Sequence, residues 1–178
     1  MELREIALAV IFTALYAGLV VILAPISFGP LQLRLADALI PLSALFGKPV
    51  IIGTTLGCFV ANYYYYLGPL DVTLGPLANL VASAIIFLFR KRSFLACLIA
   101  SILIGFIVGS YLWFFLPPPS ILASLGPPWL AMIISITVSS LMTVSLIGYT
   151  LLKFLSKSNI IRIFERVGIK VYLGEGEE

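Results

Sequence analysis

The chain contains no histidine and only two cysteines, and charged side chains make up just 11% of its 178 residues. With no imidazole, and with Cys58 and Cys97 each alone in an apolar run, neither a transition-metal site nor a disulfide framework is expected. A Gly-x-x-x-x-Gly-Lys-Ser/Thr phosphate loop is missing, because Gly47-Lys48 runs into Pro49. The chain therefore cannot hydrolyse ATP through that device. A Gly-x-Ser-x-Gly elbow and a His-Glu-x-x-His helix are absent too, so acyl transfer and metalloproteolysis lack their usual parts. Binding and transport survive these exclusions, no cofactor is called for, and nucleic acid is not an expected partner.

What the chain has is apolar surface. Hydrophobic residues make up 61% of it, against about half in an ordinary soluble domain, where roughly a quarter of residues are charged. An all-α integral membrane protein in contact with lipid is the class that fits. The uncharged run from Ile6 to Ala24 approaches the roughly 20 residues needed to cross a hydrocarbon core. It is too long for a signal-peptide core and lacks a small-x-small cleavage site, so it reads as a retained span. Proline and glycine then divide the chain into Leu35 to Phe46, Pro49 to Leu67, Leu74 to Phe89, Ser93 to Leu116 and Trp129 to Leu152. Six transmembrane helices within residues 1–157 are predicted, followed by a cytoplasmic or interfacial tail, 158–178. In that tail Ile160, Ile161, Ile163, Phe164 and Val167 alternate with Arg162, Glu165, Arg166 and Lys170, the pattern of an amphipathic surface helix. Gly174 to Glu178 is expected to fray.

The second segment is short, reaching about 18 Å as an α-helix at ~1.5 Å per residue. Charge decides in its favour. If it crosses, every Lys and Arg except Arg34 falls on one face, which the positive-inside rule makes cytoplasmic, with both termini inside. If it does not, the Arg90-Lys91-Arg92 cluster lies outside and the rule is broken.

That topology leaves Arg34, Asp37 and Asp71 at the outer level, where ionisable groups in a membrane protein mark a site. Gln32 precedes them in the first outer loop. Asn62 is expected near the outer end of the third span, Asp71 in the following loop, and Asn79 about a turn and a half into the fourth span. Tyr63 opens the run Tyr63 to Tyr66 at the same depth. Carboxylates that accept paired hydrogen bonds, amides that donate and accept, and aromatic faces that stack suit a flat polar ring. Each residue has a plainer role as well. Arg34 and Asp37 can simply pair, Asp71 or Thr73 can cap a helix, the tyrosines can form an interfacial belt, and the asparagines can bridge helices. On the first span Ala9, Thr13 and Ala17, with Ala14 and Gly18 beside them, form a smooth ridge suited equally to an external partner helix and to packing within the bundle. Gly53, Gly57 and Ala61 form a second ridge, suited to packing within the bundle.

The stretch Gly29-Pro30-Leu31-Gln32-Leu33-Arg34-Leu35-Ala36-Asp37, then Gly57-Cys58 to Ala61-Asn62, Leu70-Asp71-Val72 and Gly75-Pro76-Leu77-Ala78, resembles the QueT family. These are substrate-binding S components of energy-coupling factor (ECF) transporters for queuosine precursors. The resemblance implies an S-component-like bundle in a prokaryotic cell membrane that captures a 7-deazaguanine base on its outer side. It also implies docking on a transmembrane coupling subunit driven by two cytoplasmic ATPases, which would give the ridge of the first span its partner. Position by position it points to Gln32, Arg34, Asp37, Asn62 and Asp71. The acid after the arginine is aspartate here where the family pattern has glutamate, and Asn79 comes from depth and polarity alone. The same architecture for a vitamin or other small nutrient, and a membrane enzyme acting on a lipid-linked substrate, are the competing readings.

Overall fold

A computed structural model describes residues 2–28 and 33–173. Every regular element among the described residues is a helix, with no strand. We label the helices α1 (Leu3–Ile22), α2 (Leu35–Phe46), α3 (Lys48–Tyr64), α4 (Pro69–Leu88), α5 (Ser93–Leu112), α6 (Pro128–Leu155) and α7 (Ser158–Arg166). Four stretches are long and apolar enough to cross a membrane: α1, α4, Arg90–Leu112 and α6. α3, at 17 residues, and α2 are shorter. The chain is thus an integral-membrane helical bundle with four helices of full crossing length, where sequence patterning predicts six spans.

α2 departs from a regular helix in a way that answers its shortness. Leu35–Leu42 is a 3₁₀-helix and Ser43–Phe46 an α-helical turn. Rising about 2.0 Å per residue rather than 1.5 Å, the 3₁₀ part stretches the element to about 22 Å. Pro41, which has no N–H to give, lies within it. α6 departs in the opposite sense: Leu141–Gly148 is π-helical. There Ser101 of α5 donates to the Ser140 carbonyl at 3.1 Å and pairs with the Ser145 hydroxyl at 2.8 Å, so a side chain from a neighbour is inserted beside the widened turns.

The boundaries differ from expectation in one place that matters. α3 ends at Tyr64 and α4 starts at Pro69, five residues before the apolar run that marks it in the sequence. A proline at the first helical position costs no hydrogen bond and has its φ already set, so Pro69 can start the helix behind Gly68. Asp71 is therefore a first-turn helical residue and not a loop residue, and neither it nor Thr73 is the N-cap. Asn79 consequently lies nearly three turns into α4.

The two small-residue ridges meet each other. A Cβ on Gly53 would lie 2.5 Å from Phe12 Cβ and 2.8 Å from the Ala9 carbonyl, and one on Gly57 would lie 2.6 Å from Tyr16 Cβ and 2.9 Å from the Thr13 carbonyl. α1 and α3 thus touch backbone to backbone. Ala9 and Thr13, assigned in the sequence to a ridge for an external helix or for packing within the bundle, face α3. Ala14 is exposed, Ala17 and Gly18 are half-buried, and a Cβ on Gly18 meets nothing within 4 Å.

The tail is a strap. Phe164 of α7 packs edge-on against Phe46 at 4.9 Å, Tyr172 packs edge-on against Phe87 at 5.1 Å, and the Tyr172 N–H donates to the Leu45 carbonyl at 2.9 Å. These contacts gather the α2–α3 turn, the end of α4 and the tail at one end of the bundle, where Arg4 at the start of α1 also meets Gly168; this end carries Arg4, Lys48 and Arg90. The expectations for Gln32 and for residues 174–178 fall outside the described residues.

Backbone contact between α1 and α3 predicts that Gly57→Val lowers the melting temperature of the detergent-purified protein, by an overpacking penalty of about 1–3 kcal/mol. Gly18→Val, on the open side of α1, should leave it unchanged. Equal effects would show that the two helices are not in close contact.

Candidate ligand-binding site

Asp37, Asn62, Asp71 and Asn79 are all buried, and the structure joins them through two tyrosines. Tyr16, buried in α1, donates its hydroxyl to Asp37 Oδ1 and accepts from Asn79 Nδ2 at 2.9 Å. Tyr111, near the end of α5, donates to Asp71 Oδ1 at 3.0 Å. Asn62 Nδ2 donates to the Asp71 backbone carbonyl at 2.8 Å. Gly75 makes room for that amide, since a Cβ there would lie 2.5 Å from Asn62 Nδ2. Five helices, α1 to α5, thus supply one polar cluster. Tyr16 stands about 20 Å along α1 from Leu3 at ~1.5 Å per residue, so the cluster lies well away from the basic end.

Arg34 is the cation of the cluster. Its guanidinium donates to the Cys58 thiol at 3.5 Å and sits 5.6 Å from the centre of the Phe28 ring, and Phe28 in turn packs on Tyr65 at 4.9 Å. It borders one small cavity together with Asp37, but it is not bound to Asp37 as a simple i to i+3 ion pair. Asp37 takes Tyr16 instead. An arginine held by a thiol and a ring, both weak partners, keeps donors to spare.

Two acceptors in the cluster are unfilled. Asp71 Oδ2 and Asn62 Oδ1 are buried without a hydrogen-bond partner among the described residues. Leaving a buried acceptor unpaired costs about 1–3 kcal/mol, more when it is charged, so each such atom needs a reason. Three serine hydroxyls elsewhere share this state, Ser27, Ser93 and Ser135. A hydroxyl can rotate and can donate or accept, whereas a carboxylate or amide oxygen only accepts. The two acceptors on Asp71 and Asn62 therefore call for N–H or O–H donors from outside the described residues.

Beside the cluster lies a cavity of about 20 Å³, bordered by Arg34, Asp37 and Asn79 on one side and by Ser139, Ser140 and Thr143 of α6 on the other. It holds about one water molecule, and a ring does not fit without movement. The site is closed in this conformation.

Of the residues singled out in the sequence, Arg34, Asp37, Asn62, Asp71 and Asn79 come together. Tyr63 does not: it is 68% exposed and stacks on Phe59 on the outside of the bundle, as a belt residue would. Gln32 is outside the described residues. Sequence reasoning missed Tyr16, Tyr111 and Cys58. Tyr16 had a signal, a hydroxyl-bearing ring amid the aliphatic residues of a span, where lipid offers it no partner. Cys58 stood inside the Gly57-Cys58 to Ala61-Asn62 motif without being singled out, and Tyr111 had no signal apart from the fold.

The profile of the family described as QueT transporter matches residues 6–157. A protein of Lactococcus lactis subsp. cremoris (strain MG1363), named queuosine precursor transporter QueT, is 37% identical over 79 residues, which cover 43% of this chain and 46% of that relative. The matched segment is thus about half the relative's length. No solved structure matches the chain. The family is one of transporters and not of enzymes, which removes the reading of a membrane enzyme acting on a lipid-linked substrate. A profile match over most of a chain whose apolar helices enclose a polar cluster on motif residues establishes that it belongs to the QueT transporter family.

Proposed function

We propose that the chain is the membrane S component of an ATP-driven ECF importer, taking up a queuosine precursor of the 7-deazaguanine type. The observation that carries this reading is the pair of unfilled buried acceptors, Asp71 Oδ2 and Asn62 Oδ1. A guanine-like edge presents adjacent imino and amino N–H donors, and a carboxylate oxygen and an amide oxygen are acceptors that such donors require. This gives Asp71 and Asn62 the base edge. Asp37, held by Tyr16, is left to face the ring substituent together with Arg34 and Asn79. Gln32 is proposed to join them from the first outer loop.

Binding opens the closed cluster, and Arg34 is the group whose contacts yield at least cost. Six crossings with both termini inside fit the gathering of the basic residues at one end, where the tail meets the start of α1. The chain has no phosphate loop, so energy must come from partners: a transmembrane coupling subunit and two cytoplasmic ATPases. The exposed side of α1 about Ala14 and Gly18 is the part of the predicted ridge left free for such a partner. A vitamin or other nutrient as cargo is the alternative that a ligand panel separates.

Thermal melting of the detergent-purified protein should rise with a 7-deazaguanine base and not with a vitamin panel, by about 2.7 kcal/mol of added stability at 100 times the Kd. Asp71→Asn should weaken binding about 10- to 100-fold, the scale of a charged hydrogen bond, while Tyr63→Ala leaves it unchanged. A shift with a vitamin alone would replace the cargo. Uptake of labelled base by cells expressing the chain with its ATPases should stop when the phosphate-loop lysines of the ATPases are changed to alanine. Uptake that continues would sever the chain from ECF coupling.

A further inference from the structure

At the basic end, far from the polar cluster, a cavity of about 380 Å³ opens between α1, the start of α3 and the strap that follows α7. Four charged residues line it: Glu2, Arg4 and Glu5 at the start of α1, and Lys170 on the strap. Leu8, Phe46 and Pro49 supply apolar wall. No ion pair within 4.0 Å joins any of the four charges to another described residue. They are held in place by other means. Glu5 Oε2 accepts the Glu2 N–H at 3.1 Å, and Lys170 Nζ lies 4.9 Å from the centre of the Tyr172 ring, itself fixed to Leu45 and Phe87. Arg4 passes over Gly168, where the chain turns with φ +75° and where a Cβ would collide with the guanidinium. Glycine is needed there twice, for the turn and for the space.

A transmembrane helix begins at Leu3, which is 81% exposed, so the cavity sits at the membrane–water boundary. We propose that it is a headgroup site for a phospholipid of the phosphoethanolamine class. The phosphate is held by Arg4 and Lys170, and the primary ammonium gives its N–H donors to Glu2 and Glu5. Two cationic and two anionic side chains sum to zero, which suits a zwitterion. An anionic headgroup would leave both carboxylates facing it, and a quaternary ammonium has no N–H to donate. The acyl chains leave along the exposed Leu3, Ile6 and Val10 of α1. Such a lipid joins the start of α1 to the strap, and so braces the strap that holds the lower end of α2. This assignment does not depend on the identity of the transported ligand.

The test is native mass spectrometry of the purified full chain, titrated with phosphatidylethanolamine, phosphatidylglycerol and phosphatidylcholine of identical acyl chains. One phosphatidylethanolamine should bind, about five-fold tighter than either competitor. Arg4→Gln with Lys170→Gln should weaken retention of phosphatidylethanolamine, and Glu2→Gln with Glu5→Gln should turn the preference towards phosphatidylglycerol, with helical circular dichroism confirming that each variant is folded. Equal retention of the three lipids, a wild-type preference for phosphatidylglycerol, or a phosphatidylethanolamine preference that survives both double substitutions would overturn the assignment.

Discussion

Inside a bilayer a polar side chain has no water to turn to, and this constraint organises the chain from Tyr16 outwards. Two carboxylates and two carboxamides are buried on α2, α3 and α4, and each must find partners among its neighbours. Tyr16 serves Asp37 and Asn79 together, which fixes α1 against α2 and α4. Tyr111 ties α5 to Asp71. The close approach of α1 and α3 at Gly53 and Gly57 carries the Tyr16 hydroxyl to its place, so the apolar seam and the polar cluster depend on each other. Among the described residues the network leaves Asp71 Oδ2 and Asn62 Oδ1 without donors, and those two atoms are where the proposed ligand would contribute.

Much of this was legible in the sequence because the rarity of charge makes each exception visible. Asp37, Asp71, Asn62 and Asn79 stood out against apolar runs, and the structure brings them together. The ridge Gly53, Gly57 and Ala61 was legible as an internal seam for the same reason. Less legible was which ridge it would meet. Small-residue spacing says that a backbone can approach but not whose, and Ala9 and Thr13 proved to be its partners. Tyr63 misled because depth along a helix is readable from sequence while direction around it is not. In a span apolar on every side, no polar face tells inside from outside. The start of α4 was misplaced because apolar runs mark where a helix is buried, whereas Pro69 marks where it begins.

The two ends of α2 have different tasks. Its upper end places Asp37 in the cluster, and its lower end hands the Leu45 carbonyl to the strap. A short element that stops before the end of the bundle leaves carbonyls without partners. Residues from the far end of the chain, Tyr172 and Phe164, fill that space. The tail is amphipathic as its sequence suggests, yet it continues past the helix into a segment packed on the core, with Leu173 buried.

The central claim is that Asp71 and Asn62 read the donor edge of the bound base. Calorimetric titration of the wild type and of Asp71→Asn with a 7-deazaguanine and with its analogue lacking the exocyclic amine tests it directly. The account predicts that removing the amine weakens binding to the wild type about 10- to 100-fold and changes binding to Asp71→Asn far less, because the acceptor that the amine requires is already gone. The same loss in both proteins would mean that the amine is read elsewhere and that the unfilled acceptors are not the base-edge site.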